Sequence, residues 1–227
     1  FQDDTSTAGE PGFLKRKFSE ALSHPEVVGL IVSTRPDYIN KEIVELLRSF
    51  NVPVSIEIGM QTIHEKSLEF LQRGHNFIEV ENAVKLCGEN GLNVGVHLIM
   101  GIPGENFEDM LQTIKYISSN KYIKQVKFHN LVVYKNTKLA EMLKENGLSL
   151  ITIDEYIEIL AELFPYIRGD IVVSRLFTSN IRRSQIAIEN YPGNKTKWMN
   201  ALRIYLYKKN IIQGMETDKV YKLEKYI

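Results

Sequence analysis

Only one cysteine, Cys87, occurs among 227 residues. That excludes an internal disulfide framework and any multi-cysteine metal site within them. Cys87 lies in AVKLCGENG, a helical pattern in which a small buried apolar role suits it. Net charge is absent too: 28 basic residues balance 28 acidic ones, so bulk charge names no partner. No run of about 18 apolar residues is present. The opening FQDDTSTAGEPG has neither the basic start nor the apolar stretch of a secretory signal. The expectation is a cytoplasmic protein without a membrane span. Also missing are the HExxH, GxSxG, GxGxxG and Walker patterns. His64, His75, His97 and His129 have no metal-ligand spacing, which argues against a zinc hydrolase.

What is present has the rhythm of βα units. Apolar runs bounded by turn residues, Val27 to Ser33, Val54 to Ile58, Leu92 to Met100 and Gln125 to Val132, alternate with stretches of helical period. The helical stretches are Leu14 to Leu22, Lys41 to Phe50, Phe77 to Asn90 and Phe107 to Ser118. This pattern predicts an α/β fold with a parallel sheet covered by helices. Two Thr/Glu pairs three apart, Thr62 with Glu65 and Thr152 with Glu155, read as capping boxes. Beyond Leu139 the rhythm changes to a helix at Asp154 to Ile167, a strand-like IVVSRLF and a helix at Lys197 to Tyr207. That tail reads as an appendage, and the last residues, 214–227, as partly mobile.

In parallel α/β folds ligands collect at the carboxyl ends of the strands. Four polar clusters fall there: Ser33 to Asp37, Glu57 to Thr62, His97 to Glu105 and Lys127 to Thr137, with Gln72 to His75 closing the helix after the second. Each has a plain structural reading. Asp37 and Thr62 can cap helices, and Pro103 with Gly104 can form a turn. Gly101 and Gly104 allow close backbone approach by a flat or anionic ligand. Glu57 differs because alternation along VSIEIG puts it inside a strand, where a carboxylate needs a partner. Either it forms a buried salt bridge, with Arg35 as the expected partner, or it accepts from a ligand hydroxyl.

These clusters in this order resemble the radical S-adenosylmethionine (SAM) superfamily, in the branch of the elongator catalytic subunit and a bacterial group of iron-sulfur oxidoreductases. STRPDYI, EIGMQT, VGVHLIMGIPGE, VKFHNLVVYKNTKLAE and VVSRLF each resemble a strand motif of that branch, and RGH resembles the arginine-glycine-histidine that follows its fourth strand. The resemblance implies a partial TIM-like (β/α)6 barrel at residues 1–148, from the end of a second strand through a sixth, and an α-rich appendage at 149–227. Phe1-Gln2 would be the end of that second strand, with an N-terminal βα portion missing. By the same resemblance Glu57 and Gln61 face the SAM ribose and Arg73 the methionine carboxylate. The backbone from His97 through Gly101 to Gly104 faces the adenine.

The implied cofactors are SAM and a [4Fe-4S] cluster, whose three cysteine ligands have no counterpart in this sequence. The fragment alone is therefore expected to be inactive. The implied partners are an electron donor such as flavodoxin or ferredoxin and, through the elongator relationship, tRNA modified at its wobble uridine. Arg182, Arg183, Lys195, Lys197, Lys208 and Lys209 are candidate phosphate contacts. Two alternatives stand beside this reading: a barrel enzyme binding a phosphorylated metabolite at GIPGE, and a non-catalytic RNA-binding or scaffold module.

Overall fold

The computed structural model describes residues 1–2, 5–178 and 182–219, without the side chain of Asn146. In chain order the elements are α1 (Pro11–Leu22), β1 (Leu30–Thr34), α2 (Lys41–Arg48), β2 (Val54–Gln61), α3 (Glu65–Phe70), α4 (Phe77–Glu89), β3 (Asn93–Met100), α5 (Phe107–Ser119), β4 (Ile123–Asn130), α6 (Lys138–Asn146), α7 (Ile153–Leu163), β5 (Val172–Arg175) and α8 (Lys195–Lys208). The strands form one parallel sheet in the order β1-β2-β3-β4-β5, a partial barrel of the expected α/β class.

Period-two alternation sorts the sheet into two faces. Val32, Ile56, Ile58, Val94, Val96, Leu98, Val126 and Phe128 are fully or almost fully buried. They join one continuous core with Leu47, Val84, Ile114 and Leu160 from the helices. The other face carries Ser33, Glu57, Gly95, His97, Gln125 and Lys127, all close in register: Ser33 opposite Glu57, Glu57 opposite Gly95, Gly95 opposite Gln125, and His97 opposite Lys127. Phe1 hydrogen-bonds alongside β1 in the parallel manner, its amine donating to the Ile31 carbonyl and its carbonyl accepting from Ser33 N.

Several boundaries differ from those the sequence suggests. β1 starts at Leu30, because Val27 and Val28 are exposed ahead of the sheet. β4 ends at Asn130, whose side chain and carbonyl turn to Thr178 instead of continuing the ladder. The capping box at Thr152 and Glu155 is formed, but the one at Thr62 and Glu65 is not. There the N-cap position belongs to His64, Thr62 donates to Glu105, and Glu65 accepts from Phe77 N. Asn40, not Asp37, caps α2. Pro165 ends α7 early, in a 3₁₀ turn over Phe164–Tyr166. The strand-like stretch in the appendage pairs with β4 as β5. The terminal stretch expected to be mobile lies outside the described residues beyond 219. No helix among the described residues is long and apolar enough to cross a membrane.

Candidate functional site

The polar face of the sheet is organised around Glu57, which is 1% exposed. Its carboxylate accepts from Ser33 Oγ at 2.8 Å, Lys127 Nζ at 2.6 Å and Gln125 Nε2 at 3.0 Å, and lies 3.2 Å from His97 Nε2. Gln125 also donates to Ser174 on β5, so one chain of side chains crosses all five strands. Burial alone would raise the Glu57 carboxyl, but hydrogen bonds from His97, Lys127 and Ser33 overcome it and hold it at about 2. The expected Arg35 partner is a correction. Arg35 instead grips Asp37 with two hydrogen bonds, at 2.9 and 2.8 Å, and donates to the Gly74 carbonyl. Lys127 reaches Glu57 from two strands away, and Gln125 meets it across Gly95, which has no side chain. A Cβ there would lie 3.3 Å from Gln125 Cβ and 3.5 Å from Glu57 Cγ.

Nearer the strand ends, Gly59, Gln61 and Arg73 converge. The sheet register breaks between Ile58 and Gln61, and Gln61 has a φ of 68°, which turns its buried side chain back over the strand end. The place a Gly59 Cβ would take is 3.0 Å from Gln61 Nε2 and 3.1 Å from Arg73 Nη2, so glycine admits both. Arg73 Nε is buried without a hydrogen-bond partner. Its guanidinium is destabilised first by burial and then by the nearby Arg35 charge, with Asp37 acting in the opposite sense. Asp37 is already committed to Arg35, so Arg73 makes no ion pair among the described residues. A half-buried guanidinium without a carboxylate has the chemistry to receive an anion. His75 beside it is buried with neither ring nitrogen partnered, and its pKa is lowered by burial and by Arg73.

The β3 exit supplies the next wall. Gly101 (φ 80°) packs so tightly on Ile151 that a Cβ would lie 2.2 Å from its Cδ1, whereas the corresponding space at Gly104 (φ 95°) is open. Thr62 Oγ1 donates to Glu105 at 2.7 Å, tying the β2 exit to the β3 exit. A cavity of about 280 Å³ opens between Gln61, His97, His129, Asn130, Tyr134 and Thr178, with Ile99, Leu131 and Val132 as its apolar wall. Larger grooves lie on helix exteriors, lined by Lys115 to Lys124 and by α8, away from these strand ends.

The structure thus brings Gln61 and Arg73 together and puts Gln61 and His97 on one cavity, while Glu57 is already saturated by protein donors. Sequence reasoning put Lys127 and His129 in a strand-end cluster but gave neither a role. His129 has a buried, unpartnered Nε2 and is pushed down to about 3 by burial and the neighbouring His97, so it is neutral at physiological pH. Alternation along QVKFHN places Gln125, Lys127 and His129 on one face and was the available signal. Among the described residues no group of three His, Cys, Asp or Glu side chains is placed to hold a metal. Cys87 is buried on the helix side, its thiol pushed up to about 12 by burial. These residues therefore do not fit as ligands of an iron-sulfur cluster.

Comparison with known proteins gives this geometry a family. The Methanocaldococcus jannaschii protein MJ0486 is 33% identical over 218 residues, covering 94% of this chain and 67% of that protein. The tRNA uridine(34) acetyltransferase of the same organism is 30% identical over 227 aligned residues, covering 92% of this chain and 41% of that enzyme. The chain thus spans about two thirds of the first relative and less than half of the second. In fold it is similar to archaeal Methanocaldococcus infernus Elp3 with an N-terminal deletion, at a TM-score of 0.78 and 23% identity over 92% of this chain and 53% of that one. The radical SAM superfamily matches residues 4–117 and the radical SAM C-terminal domain matches residues 123–209; the chain belongs to the radical SAM superfamily.

Proposed function

We propose that the full-length protein is a SAM-cleaving enzyme whose SAM lies across the β2 and β3 strand ends, with tRNA wobble uridine as the substrate class. The observation that carries the SAM reading is Arg73: a half-buried guanidinium, unpaired among the described residues, next to a glycine that leaves room at its tip. Arg73 would receive the methionine carboxylate in a bidentate fork, and Gln61 would hydrogen-bond the ribose hydroxyls. Glu57, held by four protein donors, would orient His97 and Lys127 beneath the ribose more than bind it. The backbone from His97 to Gly104 would flank the adenine, with Gly104 open to close approach. The cavity beside His129 would lie next to the reacting groups.

Bound SAM, cleaved reductively, supplies a 5′-deoxyadenosyl radical for hydrogen abstraction. The [4Fe-4S] cluster that cleavage requires would be held by cysteines outside these residues, with a flavodoxin or ferredoxin as electron donor in a cytoplasmic setting. The tRNA reading is supported by the likeness to tRNA uridine(34) acetyltransferase. The test is anaerobic reconstitution of the full-length protein followed by an assay for 5′-deoxyadenosine; a cluster-loaded protein that forms none refutes the activity. Arg73→Ala is expected to weaken SAM binding by about 10- to 100-fold, the scale of one charge-assisted hydrogen-bonded pair. Unchanged affinity refutes the carboxylate assignment.

A further inference from the structure

Charge along this chain is unevenly placed despite its zero sum. Between residues 190 and 215 there is no acidic residue, while Lys195, Lys197, Arg203, Lys208 and Lys209 are basic. None of these five takes part in an ion pair among the described residues. All five are exposed. They sit on or at the end of α8, whose first turn holds Lys195 and Lys197 and no carboxylate. By contrast, α2 through α7 each place a carboxylate there. Cations at a helix N-terminus oppose the helix dipole. A local rule broken without a compensating contact points to a use outside the fold.

The helix is rigidly seated for such a use. Trp198 and Leu202 are buried, and Trp198 packs on Phe177 and Tyr191 and donates to the Pro192 carbonyl at 2.9 Å. Residues three and four apart then align Lys197, Asn200, Arg203, Ile204, Tyr207 and Lys208 on the outer face. Tyr207 is 85% exposed, an aromatic ring standing between Arg203 and Lys208 beside a surface groove. Cations bracketing an exposed ring match a nucleic-acid strand, with phosphates on the charges and a base stacked on the ring. Ile204 and Tyr207 are the large apolar side chains well exposed on this helix, too few to seat it in a lipid interface.

We propose that the outer face of α8 is the docking surface for RNA. This rests on the tRNA reading above and assigns it to a particular helix. The test is tRNA binding by the full-length protein, followed by fluorescence anisotropy across roughly 50 to 200 mM salt. The double substitution Arg203→Ala with Lys208→Ala is expected to weaken binding at least tenfold and to reduce the log-log salt slope by about 1.5. Tyr207→Ala is expected to weaken it about tenfold while leaving the slope unchanged, because stacking releases no counterions. Lys121→Glu, in a groove that contains no residue of α8, is the control and is expected to bind as wild type. If the α8 variants bind tRNA as the wild type does, the surface assignment is wrong. It is equally overturned if the wild-type protein binds phosphatidylserine vesicles through α8 and no tRNA. SAM cleavage without added RNA separates the two claims. Loss of 5′-deoxyadenosine formation in the wild type with α8-dependent tRNA binding intact removes the activity and leaves the surface standing.

Discussion

At the residue scale, Glu57 and Lys127 set the character of the polar face. Truncating one partner of a buried pair strands the other charge, so Lys127→Met is expected to cost about 3–5 kcal/mol in urea denaturation. The Glu57 carboxyl stands at about 2 in the folded chain against 4.5 as its ordinary value. Its contribution is therefore full above about pH 4.5 and lost as pH falls through 2. That difference corresponds to roughly 3 kcal/mol. Wild-type stability is expected to fall across this acid window, and Glu57→Gln to flatten the profile there; an equally steep profile in the variant would assign the acid sensitivity to other groups. Sequence alternation alone placed Glu57 inside a strand and demanded a partner. It could not name Lys127, because 70 residues separate the two, and the nearer Arg35 was the plausible but wrong choice.

At the scale of elements, glycines show how packing overrides local preference. Gly88 lies within α4, where alanine would ordinarily stabilise the helix by about 1 kcal/mol. Yet a Cβ at Gly88 would lie 2.3 Å from the Tyr122 ring, just before β4. Gly88→Ala is therefore expected to destabilise the protein by about 1–3 kcal/mol despite its better propensity. Thermal denaturation would show it, and a gain in Tm would mean that the ring moves aside freely. The helix α6 was not anticipated, although Thr137 as N-cap and Gly147 in the left-handed region (φ 60°) mark both its ends. Its short apolar face packs in a small cluster with Val133, Ala140 and Leu143, apart from the main core, which left little periodicity to read. The failed capping box at Thr62 has a tertiary cause: its hydroxyl serves Glu105 across the strand ends.

At the scale of the molecule, one hydrophobic core runs from Leu14 to Leu202, taking in α7 and α8 with the sheet. The single tryptophan, Trp198, lies in that core against Phe177 and Tyr191. Its fluorescence and the far-UV circular dichroism are thus expected to report one coincident unfolding transition. A separate early change at Trp198 would show instead that the C-terminal helices melt independently. The alternation of strands and helices, the class of the sheet and the ordered strand-end motifs were determined by sequence alone, because hydrophobic period and turn chemistry are local properties. Only the tertiary structure decided that Lys127 neutralises Glu57, that Arg35 takes Asp37 and leaves Arg73 without a carboxylate, and that Gln61, His97 and His129 share a cavity. Each of those depends on which strands become neighbours and on where a glycine lets side chains meet, and distance along the chain carries neither.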